Sequence, residues 1–325
     1  MKTMILKTPS LAIVVPCYNE KDAFPYCLDG LTTVLSTLIS KGKISDNSYV
    51  LFVDDGSKDN TWEQIKSASR KNTFVHGLKL SRNRGHQIAL MAGLLNADTD
   101  VTVSIDADLQ DDISCIEKMI DKYSEGFEIV YGVRDNRDSD SAFKRTTANK
   151  FYSLMSWLGV NQVPNHADFR LLGRTALTAL NNFKEQNVYL RGLIPLLGYK
   201  STNVYYSRDE RVAGESKYPF KKMLSLALEG ITSLTITPLR MIAIAGIFTC
   251  LISSIAATYA VIEKLQGDTV TGWTSVMIAI FFLGGVQMLS LGIIGEYIGK
   301  IYMESKNRPK FFIEESTQKV EDLKR

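Results

Sequence analysis

The stretch VTVSIDADLQDD (residues 101–112) joins an apolar, β-branched run directly to a dense group of carboxylates. Four aspartates fall within its last seven positions, where their mutual repulsion is unfavourable unless a cation or a proton lies among them. Asp111 and Asp112 suit the start of the helix that the pattern predicts next, because aspartate is favoured at helix N-termini. Asp106 and Asp108 come before that helix, at the point where the strand ends. The stretch therefore predicts a buried strand that leads into a cation-binding loop.

Four more apolar runs of the same character occur in the first half of the chain, at residues 11–15, 49–53, 75–80 and 128–133. Segments with helical periodicity separate them, at residues 22–40, 61–71, 87–96 and 113–124. Strands that alternate with helices predict an α/β fold with a doubly wound, mostly parallel sheet. Such sheets bind ligands at the carboxyl ends of their strands.

A cluster of charged residues and glycine follows each predicted strand: PCYNE (16–20), DDGSKDNT (54–61), SRNRGHQ (81–87), DADLQDD (106–112) and GVRDNR (132–137). One such cluster is an ordinary turn with a helix cap, but five at one sheet edge indicate a binding site. Because the usual glycine-rich phosphate loops are absent, we expect a divalent cation to neutralise an anionic ligand there. We expect Asp106, Asp108 and Gln110 to alternate along an extended segment and their oxygens to converge on Mg²⁺ or Mn²⁺.

The composition of the 325-residue chain changes sharply towards its C-terminus. Its net charge of +3 is too small to indicate a nucleic-acid partner. Residues 241–262 and 273–295 form uncharged stretches of 22 and 23 residues, each long enough to cross a bilayer. A hairpin of buried core helices is the alternative to two membrane spans.

Positive charge lies on the outer flanks of both stretches, at Lys217, Lys221, Lys222 and Arg240 before the first and Lys300, Lys306, Arg308 and Lys310 after the second. This asymmetry predicts that both termini are cytoplasmic. Apolar residues at helical spacing before the first span predict a helix in the membrane interface, or else one packed on the soluble domain. The predicted organisation is a cytoplasmic catalytic domain (1–215), a juxtamembrane amphipathic helix (216–237), a transmembrane hairpin (238–298) and a cytoplasmic tail (299–325).

The motifs VVPCYNE, VDDGSKDNT, NRGHQIALMAG, DADLQDD, GVR, ADFRLL, YLRG and AGESKY resemble, in this order, those of family 2 glycosyltransferases of GT-A fold. The likeness is strongest to the branch that acts on polyprenyl phosphates, which includes dolichyl-phosphate mannose synthases and bactoprenol glucosyltransferases. It extends through the tail GEYIGKIYMESKNRPKF (295–311).

The resemblance implies a bacterial inner-membrane enzyme that transfers a hexose, with inversion, from a UDP-sugar to undecaprenyl phosphate at the cytoplasmic face. Glucose is the donor sugar expected from the resemblance, and the product would serve cell-surface glycan modification such as that of lipopolysaccharide O-antigen. Donors carrying an aminoarabinose derivative, mannose or GlcNAc are alternatives. A non-catalytic nucleotide-sugar-binding subunit of a lipid-sugar export system is a further alternative, and a homo-oligomer is left open.

The resemblance also implies roles for individual residues. The nucleotide sugar is expected to contact Pro16, Tyr18, Glu20, Asp55, Asn83, Gly85 and Gln87. A closing loop with Arg211, Ser216 and Lys217 is expected to cover the diphosphate, or alternatively to contact lipid. The acceptor phosphate is expected at Arg134, Arg145 and Asn149.

Three carboxylates are expected to take part in the transfer. Asp108 is the first choice for direct contact with the metal, with Gln110 beside it, and Asp106 is expected to bind the metal, sugar hydroxyls or both. Asp168 is either a general base or an orienting carboxylate. The second role is preferred, because a phosphate acceptor is already ionised near neutral pH.

Overall fold

The computed structural model describes residues 8–135, 166–207, 235–266 and 272–318. These residues fall into two compact units. The first is built on residues 8–135, 166–207 and 308–318, and the second on residues 235–266 and 272–307. The predicted interfacial helix (216–237) lies almost wholly outside the described residues.

The first unit is centred on one mixed sheet. Its described strands are β1 Leu11–Cys17, β2 Tyr49–Asp54, β3 Val75–Leu80, β4 Val101–Ser104, β5 Ile129–Arg134, β6 His166–Gly173, β7 Ser201–Tyr206 and β8 Ile313–Ser316, in the order β7-β5-β6-β4-β1-β2-β3-β8. The pairs β1–β2, β1–β4, β2–β3 and β5–β7 are parallel. β6 is antiparallel to β4 and β5, and β8 is antiparallel to β3. The predicted mostly parallel sheet is confirmed, and β6, β7 and β8 add to it.

Helices cover both faces of this sheet. They are α1 Phe24–Ser40, α2 Thr61–Lys71, α3 His86–Asn96, α4 Cys115–Ser124, α5 Arg174–Leu180 and α6 Leu190–Leu196. Alternate residues of β1 enter opposite cores, since Ile13 packs in the cluster with α1 and α4, whereas Val14 packs in the cluster with α3. Because both faces are buried, β1 and β2 appear in the sequence as unbroken apolar runs.

The second unit contains two long helices, α7 Thr237–Gln266 and α8 Trp273–Ser305. The segments Thr237–Ile255 and Phe282–Ser305 are long and apolar enough to cross a membrane. Large apolar side chains such as Ile247, Phe248 and Leu289 are exposed on these helices, which is unfavourable in water and suited to lipid. Helix α8 runs seven residues beyond the predicted end of the hairpin at residue 298.

Candidate functional site

The carboxyl ends of β1 to β5 meet at one edge of the sheet. β1, β2, β3 and β4 run parallel, so their carboxyl ends lie together. β5 runs in the same direction, because β4 and β5 are both antiparallel to β6. Five polar clusters of the sequence therefore share this edge.

The loop after β1 is tied to the loop after β2. The Asn19 amide donates to Ser57 Oγ (3.0 Å), and the Glu20 amide donates to Thr61 Oγ1 (2.9 Å). Pro16 is buried within β1, whereas Tyr18 is 40% exposed and lies outside the hydrophobic core. The Tyr18 ring is thus available to a ligand at this edge.

Asp55 holds the loop that follows β3. This buried carboxylate accepts the amide of Arg84 at Oδ1 (2.7 Å) and the amide of Gly85 at Oδ2 (2.8 Å). Burial raises the pKa of Asp55, and these two hydrogen bonds partly oppose that effect. The described contacts of Asp55 therefore fix a neighbouring loop, a role that the sequence did not indicate.

Two glycines shape the backbone here: Gly56 in the loop after β2 and Gly85 at the end of the loop after β3. Gly56 has a φ of +65°, and a Cβ atom there would lie 2.7 Å from the Arg82 carbonyl carbon and the Asn83 nitrogen. Gly85 immediately precedes α3 with a φ of +90°, and a Cβ atom there would meet nothing within 4 Å. The loop backbone therefore packs directly on Gly56, while Gly85 leaves space open next to the site.

We expect Gly56→Ala to destabilise the protein more than Gly42→Ala. Both glycines have nearly the same φ (+65° and +66°), but a Cβ atom at position 42 would meet nothing within 4 Å. Gly42→Ala should cost about 1–2 kcal/mol for backbone strain alone. Gly56→Ala should cost about 1–3 kcal/mol more, because the added methyl group collides with the loop. Denaturant unfolding in detergent, followed by tryptophan fluorescence, measures the free energy of unfolding of both variants. Equal losses would show that the loop moves away from the added methyl group without cost.

The acidic loop after β4 is not extended, so one premise of the sequence prediction is wrong. β4 ends at Ser104, the chain turns at residues 107–108, and Leu109 adopts a φ of +45°. The turn has a packing cause, since Leu109 is partly buried against the core with α1 and α4. Asp106, Asp108 and Gln110 therefore do not alternate along one strand face. Among the described residues, no group of three or more His, Cys, Asp or Glu side chains is arranged to hold a metal.

Asp106 nevertheless has the character of a ligand-binding carboxylate. Its Oδ1 is buried and accepts no hydrogen bond from any described residue, while His86 Nε2 lies 3.5 Å away. Burial raises the pKa of Asp106, and the nearby charges of Asp168, Asp111 and Asp108 raise it further, against the lowering effect of His86. His86 offsets part of the negative charge of this group of carboxylates, and a bound divalent cation would offset more of it.

Asp168 is a buried carboxylate surrounded by the fully buried Arg170 and the partly exposed Arg191 and His86. The fully buried Arg170 donates to its Oδ1, and Arg191 Nη2 donates to Oδ2 (3.3 Å). Oδ2 also accepts Gln87 Nε2 (3.0 Å) and lies 3.2 Å from His86 Nε2. Burial alone would raise the pKa of Asp168, but Arg191, His86 and Arg170 together hold it well below its ordinary value. A carboxylate stabilised in this way orients its neighbours and is a weak proton acceptor.

His86 carries positive charge at this edge. Burial alone would lower its pKa, but the hydrogen bond to Asp168 and the charge of Asp106 raise it to about 9. Its side chain is 40% exposed, so a protonated imidazole faces the site at neutral pH. Arg170 and Arg191 balance the negative charge of Asp168, the neighbour of His86. Neither arginine was assigned a role from the sequence, although the motifs ADFRLL and YLRG contain them.

Asp111 is part of the site and is not a helix cap. It is buried, and its Oδ1 accepts Tyr206 Oη (2.6 Å) and Arg134 Nη2 (3.3 Å). Its neighbour Asp112 accepts the Ser114 amide (2.9 Å) just before α4, as expected for the start of a helix. Arg134 Nε is buried and has no hydrogen-bond partner among the described residues, while the Arg134 side chain as a whole is 28% exposed at this edge.

The structure places the remaining predicted residues as follows. Asn83 is exposed in the loop after β3, and Gln87 is held at the first turn of α3 by Asp168 and by the Leu190 amide (3.2 Å). Five predicted site residues lie outside the described residues: Arg145, Asn149, Arg211, Ser216 and Lys217. Their roles stay predictions.

Comparison with known proteins identifies the class of protein. The model of "Glycosyl transferase family 2" matches residues 12–180, and that of the "GtrB C-terminal hairpin" matches residues 237–301. The chain is 51% identical to the "Uncharacterized glycosyltransferase YkoT" of Bacillus subtilis (strain 168) over 94% of its own length and 91% of the relative's. The chain therefore belongs to glycosyl transferase family 2 and is a glycosyltransferase.

Two further similarities describe its relatives. The chain is 37% identical to the "Bactoprenol glucosyl transferase" of Shigella phage SfV over 95% of its own length and 99% of the relative's. Mannosyl-3-phosphoglycerate synthase from Rubrobacter xylanophilus is 15% identical, with a TM-score of 0.48 over 72% of this chain and 74% of that one. A structural similarity at this level adds nothing to the assignment.

Proposed function

We propose that this glycosyltransferase moves a hexose, namely glucose from UDP-glucose, onto a polyprenyl phosphate such as undecaprenyl phosphate. The observation that carries the proposal is the similarity to bactoprenol glucosyl transferase, which runs through both the family 2 domain and the C-terminal hairpin. A lipid acceptor suits a chain that joins this domain to two helices of membrane-spanning length.

The nucleotide sugar is assigned to the edge formed by the loops after β1, β2 and β3. The exposed Tyr18 ring can stack on the uracil. Pro16 near the end of β1, Glu20 after β1 and Asp55 after β2 are assigned to the same part of the site. Asn83, Gly85 and Gln87 would flank the diphosphate and sugar, with the protonated His86 beside them. Arg211, Ser216 and Lys217 are assigned to a loop that closes over this donor.

A divalent cation fits the acidic loop. Mg²⁺ is commonly bound by one or two carboxylates together with water and substrate phosphate, so a site without three protein carboxylates is adequate. Asp106, whose Oδ1 accepts no hydrogen bond from a described residue, and Asp108 would hold Mg²⁺ or Mn²⁺, with Gln110 beside them. When bound, the cation neutralises charge on the departing diphosphate.

The acceptor phosphate is assigned to Arg134, Arg145 and Asn149. A phosphate oxygen attacks the anomeric carbon as the bond from that carbon to the diphosphate oxygen breaks, which inverts the configuration and releases UDP. The ionised phosphate needs no general base, so Asp168 serves to orient His86 and Gln87. Positioning and charge stabilisation then supply most of the catalysis.

The hairpin is assigned to the bacterial inner membrane. Lys and Arg are in excess before the first span and after the second, compared with the connector between them. This asymmetry favours cytoplasmic termini and a catalytic domain in the cytoplasm, the compartment that contains the sugar nucleotide. The region boundaries at 215, 237 and 298 are retained in this proposal, with the helix of the second span continuing to Ser305.

A donor screen tests the proposed sugar. Purified protein in detergent is incubated with undecaprenyl phosphate and radiolabelled UDP-glucose, UDP-GlcNAc, GDP-mannose or a UDP-aminoarabinose derivative. We expect lipid-linked label from UDP-glucose at a rate well above the others. Faster transfer from another donor would show that the donor sugar is not glucose, while the proposed transfer to a polyprenyl phosphate would stand. Donor binding without any transfer would favour the alternative of a non-catalytic nucleotide-sugar-binding subunit.

We expect Arg134→Ala to weaken acceptor use selectively. Losing a charge-assisted hydrogen bond costs about 1.5–3 kcal/mol, which corresponds to a rise of about 10- to 100-fold in the KM for undecaprenyl phosphate. Arg134→Lys should recover part of this loss, because lysine keeps the charge but not the planar fork. UDP affinity, measured by calorimetry, should stay within about threefold.

Tyr206→Phe is the matched control for Arg134. It removes the hydroxyl that donates to Asp111 and also interacts with Arg134, but it leaves the guanidinium charge in place. An equal rise in acceptor KM in this variant would mean that Arg134 acts through Asp111 and the packing of β7. Loss of UDP affinity in Arg134→Ala would move Arg134 to the donor site.

A further inference from the structure

The described C-terminal residues, 308–318, return to the catalytic sheet. β8 pairs with β3, and the Thr317 amide donates to the Gly77 carbonyl (2.9 Å) just beyond the strand. Glu315 anchors the strand, since its Oε2 accepts the indole N–H of the buried Trp62 (2.6 Å) and its Oε1 pairs with Lys66 (2.7 Å). These contacts cover the edge of β3, which would otherwise present unpaired backbone groups.

The residues just before β8 bond to the loop after β3. Arg84 Nε donates to the Lys310 carbonyl (2.7 Å), and the Ser81 amide donates to the Phe312 carbonyl (2.9 Å). Lys310 in turn donates through Nζ to the Phe183 carbonyl (2.7 Å), next to the segment that leads to α6. We call residues 308–317 the tail clamp.

The loop after β3 is therefore held from two directions. Asp55 binds the amides of Arg84 and Gly85 from the loop after β2, while the tail clamp binds Ser81 and the Arg84 side chain. The same loop carries Asn83 and leads into His86 and Gln87. The 2.7 Å hydrogen bond to the Lys310 carbonyl thus ties the Arg84 side chain directly to the tail clamp.

We propose that the tail clamp positions the donor site, with Arg84 as the positioning residue that links the two. The proposal rests on the proposed function, in which this loop contacts the nucleotide sugar. A loop ordered before the donor arrives loses less conformational entropy on binding, so the clamp favours donor affinity. The acceptor phosphate, assigned to Arg134 and its neighbours, makes no use of this loop.

The test uses the full-length chain with Arg84→Ala and Glu315→Ala, each assayed with UDP-glucose and undecaprenyl phosphate. We expect the KM for UDP-glucose to rise about five- to tenfold in both variants, while the KM for undecaprenyl phosphate stays within about twofold. Arg84→Lys should recover part of the loss. Arg82→Ala removes the same charge from the same loop without a described contact to the tail clamp, so its effect on donor KM should be clearly smaller.

Two further readouts separate positioning from general destabilisation. Hydrogen exchange of the amides in residues 81–87 should quicken in Glu315→Ala, although the substitution lies outside that loop. The double variant should raise donor KM by less than the product of the single effects, because both substitutions break one linkage. If the parent enzyme is active and the KM for UDP-glucose is unchanged in both single variants, the positioning role of the tail clamp is wrong and the proposed function stands. An inactive parent enzyme would instead contradict the proposed function.

Discussion

Replacement of Asp108 by asparagine is expected to lower kcat about 100- to 1,000-fold while the protein stays folded. The substitution keeps the size of the side chain and its ability to accept the Gln110 amide (3.3 Å), but it removes the negative charge assigned to the divalent cation. Loss of one group that stabilises developing charge has an effect of about this size. Steady-state transfer from UDP-glucose to undecaprenyl phosphate measures kcat, and far-ultraviolet circular dichroism checks the fold.

Asp112→Asn is the matched control for this prediction. Asp112 lies in the same loop, but its described contacts are with the Ser114 amide and the Cys115 thiol at the start of α4, and asparagine can also accept the amide. We expect a change in kcat of less than about twofold. EDTA should abolish transfer by the parent enzyme, and Mg²⁺ or Mn²⁺ should restore it. Normal turnover by Asp108→Asn, or full activity in EDTA, would remove the cation from the proposed mechanism.

Replacement of Asp168 by asparagine is expected to lower the free energy of unfolding by about 3–5 kcal/mol. Asp168 is the buried carboxylate that balances the charges of Arg170 and Arg191, and Arg170 is itself fully buried. Asparagine fills the same space but leaves the fully buried Arg170 guanidinium without its charge partner, next to Arg191 and His86. Denaturant unfolding in detergent, followed by tryptophan fluorescence, measures the change.

Glu117→Gln provides the comparison for Asp168→Asn. Glu117 also faces two cations, Lys41 (2.7 Å) and Lys43 (3.0 Å), but on the solvent-exposed surface. Because water screens exposed pairs, this substitution should cost less than about 1 kcal/mol. Similar losses in the two variants would show that the cluster around Asp168 is solvated and flexible. It would then no longer support an orienting role.

The α/β frame of the catalytic unit was predictable because its strands are buried on both faces. Their continuous apolar runs predicted the alternation of elements, and the polar clusters behind them predicted which side chains would meet at one edge of the sheet. β8 was not predictable in the same way: its residues, IEES, carry two charges, and its partner β3 lies more than 200 positions earlier in the chain. An edge strand of this kind has no local apolar signature.

The candidate site was predictable in residue type but not in contacts. Asp111 looked like a helix cap because helix starts favour aspartate, whereas Tyr206 and Arg134, which hold it, come from distant strands. Asp55 is held by backbone amides, which the sequence does not distinguish from one another. The left-handed Leu109 broke the expected alternation, since burial of its side chain outweighed the ordinary preference of leucine for negative φ.

The most direct test of the proposed reaction identifies both of its products. Purified protein is incubated with undecaprenyl phosphate, UDP-glucose and Mg²⁺ or Mn²⁺, the lipid is analysed by mass spectrometry and the nucleotide by chromatography. The account predicts a lipid that has gained one hexose residue and no additional phosphate, with an equal amount of UDP released. Release of UMP with a lipid diphosphate sugar, or of UDP with free glucose and unchanged lipid, would contradict it.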